Sequence, residues 1–266
     1  LTTAPHLLRG RIVSFDENPR GGTIPPTLIE DGAILIEDGR IAAVGPYADL
    51  ARPGLPETDH RQHLILPGFI DPHIHFPQLQ VVASWGTELL DWLNRYTFPA
   101  ESRFADPDHA AAMAQRFLDA LLRAGTTTAC CFASSHPQSV DSLMAAAEAR
   151  GMALVAGKVM MDRNAPEGVR DTAQASHDDT AALIARWHGR DRLQIAITPR
   201  FAITSSPAQL DAAGALAKTH PDCLIQTHIS ENHAEIALTA ELHPQARDYL
   251  DTYERVGLVT DRTLLG

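Results

Sequence analysis

From Leu64 onward, short apolar runs of strand character alternate with longer stretches of helical period, and this alternation constrains the fold more than anything else in the chain. The strand-like runs are LILPGFIDPHIHF, TTTACCFAS, ALVAGKVMM, LQIAITPRF and CLIQTHIS. Helical patterns such as PDHAAAMAQRFLDALLRAG and SPAQLDAAGALAKTH follow them. Asp106 and Asp108 flank Pro107 where an N-cap and a first-turn acid belong, and Gly125 stands where that helix should stop. Strands that alternate with helices form a parallel sheet, either a closed barrel or a doubly wound sheet. Residues suited to binding fall at the C-terminal ends of different strands: His73 and His75, Lys158, Arg200, His228. Chemistry gathered from several strand ends on one rim is the layout of an α/β (β/α)8 TIM-type barrel. A doubly wound sheet gathers its ligand at one switch point, and no G-x-G-x-x-G, P-loop or G-x-S-x-G accompanies these strands.

Only five strand–helix units can be counted, with TLLG at the end reading as the start of a sixth strand. A closed barrel takes about 250 residues by itself. The expectation is therefore a barrel truncated after about five units, in a chain that begins at Leu1 and is part of a longer protein. Residues 1–63 have a different texture. LLRGRIVSF and AILIEDGRIAAVG are short β-rich runs separated by Gly, Pro and Asn clusters, and Asp38-Gly39 is a hairpin signal. A small β-sandwich lobe over 1–63 and a barrel portion over 64–266 are expected, with an irregular N-terminal arm as the competing reading.

The 266 residues are 44% hydrophobic, enough to bury a core without cross-links. A formal charge of -11, from 33 acidic against 22 basic residues, comes without any Lys/Arg run, which argues against a nucleic-acid partner. No apolar run approaches the roughly 18 residues of a membrane span. Cys130, Cys131 and Cys223 lie in apolar runs and form no C-x-x-C, so neither a disulfide framework nor a zinc ribbon is indicated. A soluble protein of the reducing cytoplasm is expected.

The stretch PGFIDPHIHFPQ, Pro67 to Gln78, carries the chemistry. It reads as a buried strand in which Asp71, His73 and His75 share one face, because side chains alternate along a strand. Two imidazoles at that spacing can reach one divalent ion, and His228 in IQTHISEN is a third candidate ligand. Glu231 follows three residues later, placed to handle a proton without binding the metal. An H-x-H pair is weak by itself in a chain with 13 histidines. The remaining candidates His63, His109, His136, His188, His220 and His233 read as surface or loop residues, with His136 at a strand end the one to watch.

PGFIDPHIH resembles the signature of the amidohydrolase superfamily, metal-dependent hydrolases built on a (β/α)8 barrel with a flanking β-sandwich. More narrowly, ELLDWLNRYTFPAE, RAGTTTACCFA, GKVMMDRNAPE, ITPRF and QTHISEN resemble the guanine deaminase family, and the likeness runs from about Leu7 to Gly266. The resemblance implies His73, His75 and His228 as metal ligands and Glu231 as the proton shuttle in the hydrolysis of guanine to xanthine and ammonia. His228 is thereby counted with Glu231 in the catalytic set. Gln78 is similar to the family glutamine that hydrogen-bonds the purine, and Arg200 and Phe201 match an Arg-Phe pair that contacts and frames the base. Trp92 could stack on the base, although a core role is its plainer reading. The segment Glu88 to Glu101 would lie over the mouth.

The implied cofactor is zinc, one per subunit, with iron open as the alternative, and the family's frequent dimers imply a homodimer. Lys158 is placed like the carboxylated lysine of two-metal relatives, but the single-metal subgroup does not use such a bridge, so a structural role is expected. Further family ligands, a histidine after the sixth strand and an aspartate after the eighth, would lie beyond Gly266, and residues 1–266 alone are expected to be inactive. Two other readings stay open: an amidohydrolase acting on a different aminated heterocycle or a cyclic amide, and a non-catalytic metal-binding scaffold.

Overall fold

The computed structural model describes residues 4–15, 25–86 and 88–266. They form two compact units, Leu1–Gly68 and Phe69–Gly266. In the first unit β1 (His6–Ser14), β2 (Thr27–Glu37), β3 (Arg40–Pro46) and β4 (Glu57–Ile65) make one four-stranded sheet in the order β3-β2-β1-β4. Among the described residues this β lobe is one sheet, where a sandwich was expected. Asp38 and Gly39 both have positive φ, 51° and 72°, which is what a two-residue turn matched to strand twist requires, and they close the β2–β3 hairpin. Leu7, Ala33 and Leu35 form its small core. The Asn/Pro/Gly cluster expected between β1 and β2 lies outside the described residues.

The run from Leu64 to His75 is two strands rather than one. Leu64 and Ile65 end β4, paired with Arg11 and Ile12. Pro67 has no N–H to give a ladder, and the next strand, β5 (Phe69–His75), starts after Gly68. β5 begins the second unit's parallel sheet with β6 (Thr126–Phe132), β7 (Ala153–Gly157), the short β8 (Val159–Met160), β9 (Leu193–Pro199), β10 (Leu224–Thr227) and β11 (Thr263–Leu265). The order is β11-β10-β9-β7-β6-β5, with β8 beside β9. Sequential parallel strands joined through helices are the barrel pattern read from the sequence, here with six strands on the path.

The inner strands are buried on both faces. β9 hides every residue except Gln194. Inside, Gln226 donates to Cys131 O at 2.9 Å and Thr198 Oγ1 at 3.0 Å, and accepts from Cys130 Sγ at 3.1 Å. One amide thus ties β6, β9 and β10 together, with its own polar atoms satisfied. All three cysteines are buried and free. β5 departs from the buried strand expected. It pairs only with β6 among the described residues, and its Phe69 and Ile70 are exposed.

The helix Pro107–Arg123 turns Ala110, Met113, Ala114, Phe117, Leu118 and Leu121 inward, at the spacing of one helical face. Asp106 caps it by accepting from Asp108 N at 2.9 Å, and Gly125 ends it at φ 82°. Ser206 caps Pro207–Thr219 in the same way, accepting from Gln209 N. Among the described residues no helix is long and apolar enough to cross a membrane. Asp106→Ala should lower unfolding stability by about 1 kcal/mol, read from the denaturant midpoint, because it strips the cap from the longest helix and touches nothing in the cavity.

Candidate active site

The parallel sheet delivers its chemistry at strand ends. His75 is the last residue of β5, Phe132 the last of β6, Arg200 follows β9, and His228 follows β10. His73, His75 and His228 each offer a ring nitrogen, and the three atoms lie within 4.8 Å of one another. His75 Nε2 and His228 Nε2 are 2.9 Å apart. His228 Nδ1 lies 2.7 Å from Arg200 O, an acceptor, so that nitrogen carries the proton and the lone pair is on Nε2, facing His75.

Burial pushes His228 down to about 3, with the Arg200 charge adding to the fall and the bond to Arg200 O opposing it. Burial, then the neighbouring His228, Arg200 and His73, hold His75 well below the usual imidazole range. Burial also lowers His73, against the pull of Asp71. Three neutral imidazoles converging on one point fit a divalent transition metal. The rings rest on Phe132, which is fully buried and stacks on His75 at 4.6 Å between centroids, with His228 at 4.4 Å.

A cavity of about 170 Å³ opens beside these histidines, and Gln78, Trp92, Arg200, Phe201 and Glu231 line it together with His73, His75 and His228. Every residue proposed from the sequence for metal, proton transfer or base contact is thus at one place. Ser230 has φ 59°, uncommon for a residue other than glycine, and this bend directly precedes Glu231. Glu231 is exposed at the rim, and the protein around it still raises its carboxyl pKa, desolvation first and Glu235 second, with Arg200 opposing. Trp92 is half-buried and donates Nε1–H to Ser84 O at 3.1 Å, so it belongs both to the packing and to the cavity wall.

Two site residues escaped the sequence reading. Phe132 looked like one more apolar residue at the end of a strand. Glu101 is fully buried, and both of its carboxylate oxygens accept from Arg200 Nη1, at 2.8 and 2.7 Å. An acid in the apolar TFPAE stretch was the available signal, since such a residue is seldom fully buried without a partner. Tyr253 is a further buried support: its hydroxyl donates to His228 O and accepts from Ala202 N, each at 2.8 Å.

Other candidates lie elsewhere. Lys158 is buried and paired with Asp171, which also takes hydrogen bonds from Ser176 and Gln209, in keeping with a structural role. His136 reaches Gly168 O at 3.0 Å. His188, Asp222 and Cys223 form a second cluster of ligand types. There His188 Nδ1 accepts from Ile195 N at 3.1 Å and Nε2 faces Asp222 at 3.2 Å, so both ring nitrogens already have partners.

The chain is similar to known proteins over most of its length. A model described as the amidohydrolase family covers residues 64–265, and one for a bacterial imidazolonepropionase-like composite domain covers residues 32–52. Guanine deaminase of Escherichia coli is 46% identical over 246 residues, 91% of this chain and 56% of that protein. Guanine deaminase of Rattus norvegicus is 36% identical over 79% of this chain and 46% of its own length. The chain spans about half the length of the curated relatives it matches. Among solved structures, guanine deaminase from Bradyrhizobium japonicum superposes with a TM-score of 0.95 at 40% identity, over 99% of this chain and 58% of that one. The enzyme from C. acetobutylicum with bound guanine in the active site gives 0.88 at 31% identity, over 98% and 62%. With a family model that covers most of its length and a histidine cluster at the strand ends, the chain belongs to the amidohydrolase family.

Proposed function

We propose that the protein is a guanine deaminase, which hydrolyses guanine to xanthine and ammonia. The observation that carries this reading is the single cavity in which three ligand-type histidines meet Gln78, Arg200, Phe201 and Glu231. The similarity to guanine deaminases, one of them with guanine bound, supports it.

His73, His75 and His228 would hold a zinc ion, which supplies Lewis acidity and lowers the pKa of water toward 7. Glu231 takes a proton from the attacking water and passes it to the ring nitrogen beside the carbon that bears the amine. It then helps the departing nitrogen leave as ammonia. A carboxyl raised above its usual range by desolvation is better matched to both giving and taking that proton near neutrality.

Arg200 presents donors only. A carboxylate only accepts, so Gln78 would meet Glu101 through its amide NH2 and have Oε1 left to accept from a base. Donors beside an acceptor complement a carbonyl beside a ring N–H, the edge that guanine has and adenine reverses. Phe201 and Trp92 would frame the flat base. The same reading makes the assembly a cytoplasmic homodimer with one zinc per subunit, which sedimentation and elemental analysis check.

Two outcomes test the proposal on the full-length, metal-loaded protein. Guanine should be consumed with equal release of ammonia, adenine, cytosine and a ureide should be spared, and Glu231→Gln should lower kcat by about 10²–10⁴-fold with metal content unchanged. Turnover of a ureide instead of guanine would move the protein to another branch of the family. His228→Ala should abolish stoichiometric zinc uptake in equilibrium dialysis; a variant that keeps one zinc per chain would place the metal elsewhere.

A further inference from the structure

We propose that Glu101 is a positioning residue that compensates the charge of Arg200 and so makes the base cavity select neutral heterocycles over anionic ones. The proposal rests on the reading of this cavity as a base-binding site, and its new content is the role of a residue that touches no substrate atom.

The geometry is specific. Arg200 is 2% exposed and Glu101 is 0% exposed. Both carboxylate oxygens face one nitrogen, Nη1, at 2.8 and 2.7 Å, so both act as acceptors, as an ionised carboxylate does. Both hydrogen bonds to Glu101 leave from Nη1, so that carboxylate does not engage Nε or Nη2. The guanidinium therefore keeps donors for a ligand in the cavity it lines, while its charge is paired at contact distance with Glu101, which is not among the lining residues. Gln78 bonds to the same carboxylate, so one buried acid orients both polar side chains assigned to the base.

Arginine alone is a recogniser of carboxylates and phosphates. Without Glu101 the guanidinium would add an uncompensated buried charge to that of the metal proposed for the same cavity, and anions would be favoured further. With Glu101 in place the same donors meet a neutral carbonyl on better terms. Glu231, the other acid at the cavity, is exposed at its rim, whereas Glu101 is buried in direct contact with the guanidinium.

The test compares guanine with urate, a flat purine that is an anion at neutral pH. In full-length, metal-loaded protein, KM and kcat for guanine are measured beside the dissociation constant of urate by direct titration. Glu101→Gln should raise the guanine KM and tighten urate, changing the ratio of the two constants by about tenfold or more, with a smaller change in kcat. Glu101→Gln combined with Arg200→Gln removes both charges and should return urate to weak binding. Glu101→Asp keeps the charge, and should raise the guanine KM without tightening urate; this variant carries the test if Glu101→Gln does not fold.

An unchanged ratio in folded Glu101→Gln, or tighter urate in Glu101→Asp, overturns the proposal. If the unaltered protein turns over no guanine, the deaminase reading fails, and the urate titrations still decide whether Glu101 compensates Arg200.

Discussion

Arg200 joins the two halves of the site. Its carbonyl oxygen accepts from His228 Nδ1 at 2.7 Å and from His228 N at 3.1 Å, which turns the lone pair of that imidazole toward His75. Its guanidinium is held by Glu101 beneath the wall of the cavity. One residue at the end of β9 therefore contacts a cavity histidine through its backbone and lines the same cavity with its side chain. A displacement of the β9 end would disturb both contacts together.

A buried ion pair gains little net stability, because desolvation offsets the attraction, while loss of one partner costs about 3–5 kcal/mol. The Glu101–Arg200 pair is thus best understood as a device for geometry and charge balance. The interior of the sheet follows a similar logic: Gln226 is surrounded by Cys130, Cys131 and Thr198, so its polar atoms are bonded and the strands beneath the site are held in register. Leu89, Trp92 and Leu93 of the segment Glu88–Glu101 line the cavity, and Glu88 accepts from Asn232 at the start of the helix His233–Leu242.

Much of this was legible in the chain. The alternation of strand and helix patterns, the Asp106 cap, the Asp38-Gly39 turn and the burial of the cysteines all follow from local rules, and the structure has each of them. That His73, His75, His228 and Glu231 share one cavity was readable because such residue types at several strand ends come together on one rim of a barrel. Local rules failed where the neighbours were remote. Pro67 and Gly68 split a run that looked continuous, and β5 is more exposed than its apolar sequence suggests because it has one strand neighbour.

The sequence by itself determined the kinds of chemistry at hand: imidazoles that can bind a metal, a carboxylate that can carry a proton, an amide and a guanidinium that can read a flat polar ring. Only the tertiary structure decided how those groups are biased. Phe132 and Glu101 come from β6 and from the segment over the mouth, far in sequence from the histidines and from Arg200, and nothing in the local pattern pairs them. Burial and charge are properties of all that surrounds a side chain, so the neutral state of His228 and the compensated state of Arg200 exist only once distant parts of the chain pack together.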